Sequence, residues 1–362
     1  MAQNSEIAWT DSTFNPWMGC SKVSPGCAHC YAENLMDTRY GKVEWGPSGT
    51  RVKTSDAYWR KPLAWNKAAI AEAVRPRVFC ASLADVFEDW QGPILDSKGR
   101  GLFKRHNAGG SYLLRYNLPL SPQDEYQLGD SALTMGDLRR DLFALIDATP
   151  HLDWLLLTKR PENIWRMWEP TEALPLPDRT VDLRERPHPQ FRPNVWIGTS
   201  VENQEMADER IQHLLKCRDL APVLWLSVEP MLGPVNLRQT HRLTERNEQP
   251  LMRPIDGVDW VVFGGESDQG SPARPCNVEW IRDGLRQCHE ASVPAFIKQL
   301  GSRPYSEDAK SFRDWPDRTG YFMDGEGIHF DLSDKAGADP SEWPEDLRIR
   351  EFPESIQIAR NQ

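Results

Sequence analysis

Six short apolar runs, each closing on a small cluster of polar residues, recur between residues 77 and 301. They read RVFCASLAD (77–85), LDWLLLTKRPEN (152–163), NVWIGTSVEN (194–203), VLWLSVEP (223–230), VDWVVFGGES (258–267) and VPAFIKQLG (293–301). Each run is too short for a helix and is bounded by Pro, Gly or Asn, so each reads as a buried strand. Amphipathic stretches lie between several of them. MGDLRRDLFALIDATP keeps Leu138, Leu142, Leu145 and Ile146 on one helical face, and ENQEMADERIQHLLKC and NVEWIRDGLRQCHEA are spaced in the same way. Strand then helix, repeated about six times, requires parallel strands joined by crossovers. Strands that are hydrophobic nearly throughout imply helices covering the sheet. The expected fold class is therefore α/β, with a parallel sheet that either closes into a barrel or stays open.

Two segments break the rhythm. Residues 90–136 separate a strand from its helix by more than an ordinary βα loop allows, and read as an insertion over one edge of the sheet. Residues 169–193 are Pro-rich and read as a surface excursion. From about residue 302 the chain turns polar and acidic. The expected organisation is a barrel over 1–301, carrying the 90–136 insertion, and a 302–362 extension packed on it. The tripeptide Ser-Val-Glu occurs at both 200–202 and 227–229, a faint echo of a repeated unit.

A chain of 362 residues suits one large barrel or two ordinary domains. Its net charge of −10 argues against a passive nucleic-acid coat, which relies on broad neutralisation of phosphates. Short basic stretches at Arg51 and Lys53, at Arg60 and Lys61, and at 98–106 read as solvated mixed-charge surface. Fifteen tryptophans fit core packing, with a few to spare for base stacking. No apolar run approaches the ~18 residues of a membrane span, so no membrane is expected. The N-terminus lacks both the basic and the apolar part of a signal peptide. Seven cysteines, an odd number not spread like a disulfide framework, point to free thiols in a reducing cytoplasm.

Whether the sheet closes or stays open, the polar strand ends gather on its carboxyl edge, where ligand sites lie. That edge collects Asp85, Thr158, Lys159, Arg160, Ser200, Glu202, Ser227, Glu229, Gly264, Gly265, Glu266, Lys298 and Gln299 as candidates. Any one of them alone is as readily a helix cap or a surface ion pair. Their recurrence at strand after strand makes them a candidate site.

Ahead of the strands, NPWMGCSKVSPGCAHCYAE (15–33) places Cys20, Cys27 and Cys30 within eleven positions. The C-x2-C half grips one metal centre from a tight turn, and the bend at Ser24-Pro25-Gly26 brings the third thiol round. Spacing leaves three readings open. A structural zinc site would take His29, Cys80 or a distant group as fourth ligand, although His29 is expected to point away and Cys80 reads as a buried strand residue. A redox pair at Cys27 and Cys30 lacks the strand and helix of a thioredoxin-like setting. A 4Fe–4S cluster on three thiolates would leave one iron open to a substrate or cofactor.

An N-terminal three-cysteine loop before a series of βα units resembles the radical S-adenosylmethionine (radical SAM) enzymes. The resemblance implies a partial (β/α)6-type, TIM-like barrel and a 4Fe–4S cluster on Cys20, Cys27 and Cys30, with SAM as cofactor and source of a 5′-deoxyadenosyl radical. It also implies an external electron donor. The match is closer to a bacterial and phage-encoded three-Cys-motif protein family of uncharacterised function. Its pattern NPW-x-GC-x-KVSPGC-x-x-CYAE and its blocks LTKRPEN, WIGTSVEN, LSVEP-x-LGP, GGES and IKQLG all stand in this sequence. This likeness adds a three-Cys-motif partner protein as an expected partner. A more distant likeness, to spore photoproduct lyase, adds a nucleic-acid substrate for modification or repair. Lys159, Ser200, Glu202, Ser227, Glu229, Gly264, Gly265 and Glu266 are then the residues expected to hold SAM or substrate. The radical SAM pattern has a shorter first cysteine gap and a Gly-Gly-Glu after the second strand, whereas here the gap is six and Gly-Gly-Glu follows a late strand. The rival reading is a zinc-stabilised binding protein of phage or bacterial origin, with the cysteines only stapling the N-terminal loop.

Overall fold

The computed structural model describes residues 5, 7–106, 112–114, 132–168, 191–238, 253–308, 311–316 and 319–354. Its centre is a curled, half-barrel sheet of seven parallel strands in chain order: β1 (Ser12–Thr13), β2 (Arg77–Cys80), β3 (Asp153–Thr158), β4 (Val195–Ser200), β5 (Val223–Val228), β6 (Trp260–Gly264) and β7 (Ala295–Gln299). The six runs read from sequence are β2 to β7. The added strand, β1, is only two residues long.

Four long helices accompany the sheet: α1 (Lys61–Glu72), α2 (Met135–Asp147), α3 (Gln204–Leu215) and α4 (Val278–Ala291). Three start at side chains suited to an N-cap. Thr134 and Asp137 form a reciprocal capping box on α2, Asn203 accepts from Met206 N on α3, and Asn277 accepts from Glu279 N on α4. Among the described residues no comparable helix follows β3 or β5.

Side chains alternate across the strands and divide the core in two. On the helix side Val78, Trp154, Leu156, Ile197, Leu226 and Phe263 pack with Leu138, Leu142, Ile211 and Ile281. On the other side Phe79, Leu155, Trp196, Trp225, Trp260 and Phe296 close around Trp9, which enters from the N-terminal segment. Trp9 meets Phe79, Trp225 and Trp260 edge to face, with ring centres 4.8, 5.2 and 6.1 Å apart. Gly198 on β4 makes room for this cluster, since a Cβ there would lie 2.3 Å from the Trp225 indole. Each such fully buried ring contributes ~2 kcal/mol or more, so this plug alone does much to hold the half-barrel together. Ten of the fifteen tryptophans are buried, in line with a packing role for most.

The open edge of β7 is covered by a C-terminal strap. Ile297 N donates to Ile349 O and Glu351 N to Ala295 O, and Phe352 stacks against Trp260 and Phe296. Residues beyond 302 also form a four-stranded sheet, with strands Pro304–Ser306, Gly320–Met323 and Ile328–Asp331 joined by Cys276–Asn277. Of the expected 90–136 insertion, Ile94–Leu95 pairs with Arg51–Lys53, and Lys104–His106 pairs with Tyr112–Leu114. The rest of it between 107 and 131, and 169–190 of the second excursion, lie outside the described residues.

Candidate functional site

The cysteine loop hangs over the carboxyl edge of the strands. Its start is fixed by Trp17–Met18, which pairs antiparallel with Arg51–Lys53. Gly19 turns the chain at φ +107°, and a Cβ there would lie 2.4 Å from Thr50 O. A tight turn over Pro25–Cys27 then reverses direction. Cys30 precedes the helical turn Tyr31–Glu33, and the backbone of Ala32 and Glu33 in that turn acts to lower its thiol.

Cys20 sits on a buried ionic lattice. Arg160 Nη1 lies 3.5 Å from Cys20 Sγ and 2.9 Å from Asp85 Oδ2, and its Nη2 donates to Ser21 O. Glu88 accepts from Ser21 N and from both Nε and Nη2 of Arg51, at 2.7 to 2.9 Å. Asp85 also accepts from Thr158 Oγ1, Lys159 N and Phe87 N, so its carboxylate is saturated. Burial, reinforced by Glu88 and Asp85, pushes the Cys20 thiol up to about 12, and burial raises Cys30 as well. The lattice overturns one expectation. Arg51 is fully buried and Lys53 nearly so, because Glu88 and Asp56 neutralise them inside the fold, and neither belongs to a solvated basic surface.

Two strand-end carboxylates clamp the rest of the loop. Glu202 accepts from Ser24 Oγ at 2.8 Å and from Arg210 at 2.9 Å, with Lys159 Nζ at 3.5 Å. Gly26 packs directly on it, since a Cβ there would fall 2.4 Å from the Glu202 side chain. Glu266 accepts from Arg274 N and Nε at 2.9 Å and faces His29 Nδ1 at 3.0 Å, while Arg274 Nη1 donates to Pro25 O. Burial would raise both carboxyls. Lys159 and Arg210 outweigh it at Glu202, and Arg274 and His29 outweigh it at Glu266, so both lie below the usual carboxylate range.

Below the loop opens a cavity of about 860 Å³. Cys20, Cys27 and Cys30 all line it, with Lys159, Arg160, Ser200, Lys298 and Gln299 from the strand ends. Asp85 and Thr158 line it as well, and the remaining expected residues stand behind that wall. Glu202 and Glu266 hold the loop as described, and Ser227 Oγ donates to Glu229 at 3.0 Å. The two glycines admit protein neighbours: a Cβ on Gly264 would meet Glu229, and one on Gly265 would meet Leu300 O at 2.2 Å. His29 turns outward to Glu266 and does not line the cavity, and Cys80 is a fully buried strand residue. Glu88 and Arg274 escaped the sequence reading. Nothing in their local sequence distinguishes them from surface charges.

Among the described residues no three His, Cys, Asp or Glu side chains close around a single ion. The three thiols share a cavity rather than one mononuclear coordination sphere. A family model described as "Protein of unknown function (DUF5131)" matches residues 4–92 and 132–331. The chain belongs to the DUF5131 family. The gap in that match, 93–131, falls within the insertion expected at 90–136. No curated protein and no solved structure matches the chain. Among the described residues of this DUF5131 protein, no helix is long and apolar enough to cross a membrane.

Proposed function

We propose that this DUF5131 protein is a radical SAM-type iron–sulfur enzyme acting on nucleic acid or a nucleic-acid component. The observation that carries the reading is that three thiols from one clamped loop open into one cavity, at the carboxyl edge of a parallel half-barrel.

The donor set fits a 4Fe–4S cluster. Thiolates are the ligands iron–sulfur clusters prefer, and a four-iron cluster spreads its thiolates over several irons instead of drawing them to one point. Deprotonating three thiols in a partly buried loop needs compensation. Arg160 beside Cys20, and Lys159 and the Ala32–Glu33 backbone near Cys30, supply it. Bound there, the cluster supplies an electron from an external donor and an open iron for SAM.

The chain's own part is to hold and shield. Glu202 fixes Ser24 and leaves room only for glycine at 26, Glu266 and Arg274 fix His29 and Pro25, and the Arg51–Glu88–Arg160–Asp85 lattice fixes Cys20 and Ser21. Tyr31, Leu35, Met36 and Trp45 give the cavity an apolar wall that limits water around a reactive species.

Anaerobic purification tests the reading. The expected result is brown protein with about four irons per chain, forming 5′-deoxyadenosine from SAM when a reductant is added. Serine at Cys20, Cys27 or Cys30 removes both colour and product. Colourless protein with one bound zinc overturns the reading.

A further inference from the structure

The substrate class is written in the charge of the cavity. The chain carries a net charge of −10, yet among the described residues the ionic side chains lining the cavity are Lys159, Arg160 and Lys298 against Asp85. Asp85 is spent on Thr158, Phe87, Lys159 N and Arg160, and Arg160 is spent on Asp85, Glu88, Ser21 and Cys20. The two lysines are different. Each has a glutamate behind it, fully buried at Glu202 and half-buried at Glu229, and a side chain that is partly exposed, 24% at Lys159 and 28% at Lys298.

The Ser-Val-Glu echo builds both pairs. Glu202 of the first copy backs Lys159 at 3.5 Å, and Glu229 of the second backs Lys298 at 3.1 Å. Glu202 also serves Arg210, so two cations share one carboxylate and that group keeps a positive charge. Neither glutamate lines the cavity, whereas both lysines do. An ammonium has three donors, and a single backing carboxylate fixes its direction without using them all. The lysines stand at the ends of β3 and β7, with the Ser200 hydroxyl side on β4 between them. Tyr31, Leu35, Met36 and Trp45 line the same cavity. A cation-lined cleft in an acidic protein selects an anion, and the apolar and aromatic part of the lining suits a flat, weakly polar ring.

We propose that the cavity binds a phosphate-bearing nucleotide unit, its phosphate on the side of Lys159 and Lys298 and its base against the aromatic wall. The inference rests on the reading of this cavity as the substrate chamber. The same chemistry is offered by a free mononucleotide and by a nucleic-acid strand.

Full-length protein without reconstituted metal, titrated by calorimetry, tests it. The probes are thymidine, thymidine 5′-monophosphate and a short single-stranded oligothymidylate, which avoid the adenosine that SAM carries. The phosphate is expected to tighten binding by about tenfold over thymidine, the scale of a charged hydrogen bond. Lys159→Gln and Lys298→Gln each remove most of that preference and leave thymidine binding as it was, while Lys298→Arg retains it. Glu229→Gln acts in the opposite direction and strengthens phosphate binding several-fold, because it removes the anion behind Lys298. This sign is not the result of a misfolded variant. Tighter binding of the monophosphate assigns a free nucleotide, and tighter binding of the oligomer assigns a strand. Equal affinity for thymidine and its monophosphate overturns the inference, as does a preference that the lysine variants leave intact. Protein that forms 5′-deoxyadenosine but ignores phosphate overturns this inference alone. Phosphate-selective protein without iron overturns only the enzyme reading.

Discussion

Glu229 reaches Lys298 across the end of β6, 3.1 Å from Oε1 to Nζ, and it does so because residue 264 is glycine. A Cβ at 264 would sit 2.6 Å from Glu229 Oε1, inside the carboxylate. Strands β5 and β7 are not neighbours, so the ion pair spans the strand between them. Gly264→Ala is expected to push Glu229 aside and cost ~1–3 kcal/mol, the usual scale of overpacking in a well-filled interior. A double-mutant cycle of Gly264→Ala with Lys298→Gln, followed by urea denaturation, checks the mechanism. The two losses should fall well short of adding, because each substitution breaks the same pair.

Gly26 and Glu202 stand in a similar relation at the cysteine loop, where a Cβ would fall 2.4 Å from the carboxylate. Gly26→Ala should displace Ser24 and Cys27 from their places above the cavity. The expected phenotype is local: iron retention after reconstitution drops several-fold, while the thermal midpoint of the metal-free protein moves by only a few degrees. Iron content and a melting curve on the same sample decide it. Unchanged iron retention would show that the loop tolerates a shift, against the clamp described above.

The Arg51–Glu88 pair is buried, bidentate and shared with Ser21 and Arg160. Removing one partner leaves a charge without compensation, at a cost of ~3–5 kcal/mol, whereas an apolar pair of similar volume often costs far less. Glu88→Gln is therefore expected to destabilise the protein more than the double change Arg51→Met with Glu88→Leu. Chemical denaturation of the three proteins tests the order. A double variant less stable than the single one would mean that the pair's bonds to Ser21 and Arg160 matter more than its charge.

The strands were legible because burial on both faces leaves an unbroken apolar run between Pro, Gly and Asn, as at 194–203 and 223–230. β1 was not, since two residues, Ser12 and Thr13, carry no pattern. Strand ends likewise flagged the right edge of the sheet, and Lys159 and Ser200 do face the cavity. What sequence could not say is which way a carboxylate turns. Glu202 and Glu266 look like ligand-facing groups until Gly26 and Arg274 are seen against them, and those contacts span 176 and 8 positions in the chain. Arg51 was misread for the same reason. Its burial depends on Glu88 and on the Trp90 ring 4.1 Å away, neither of which marks its local sequence.

Glu266 links the loop to pH. Its carboxyl is held below the usual range by Arg274 and His29 despite burial, so the folded state binds its proton less readily than the unfolded chain does. The sign follows from linkage: the stabilisation is fully present above the unfolded value, near 4.3, and is lost as pH falls through the folded one. Glu266→Gln has no such proton to take up. The stability of the native chain should therefore fall more steeply than that of the variant below about pH 4.5, and the gap between the two should narrow as the pH drops. Urea midpoints measured from pH 7 to pH 3 test this. Parallel curves would show that Glu266 keeps the same proton affinity in the unfolded chain, and that the contacts to Arg274 and His29 add nothing to its acidity.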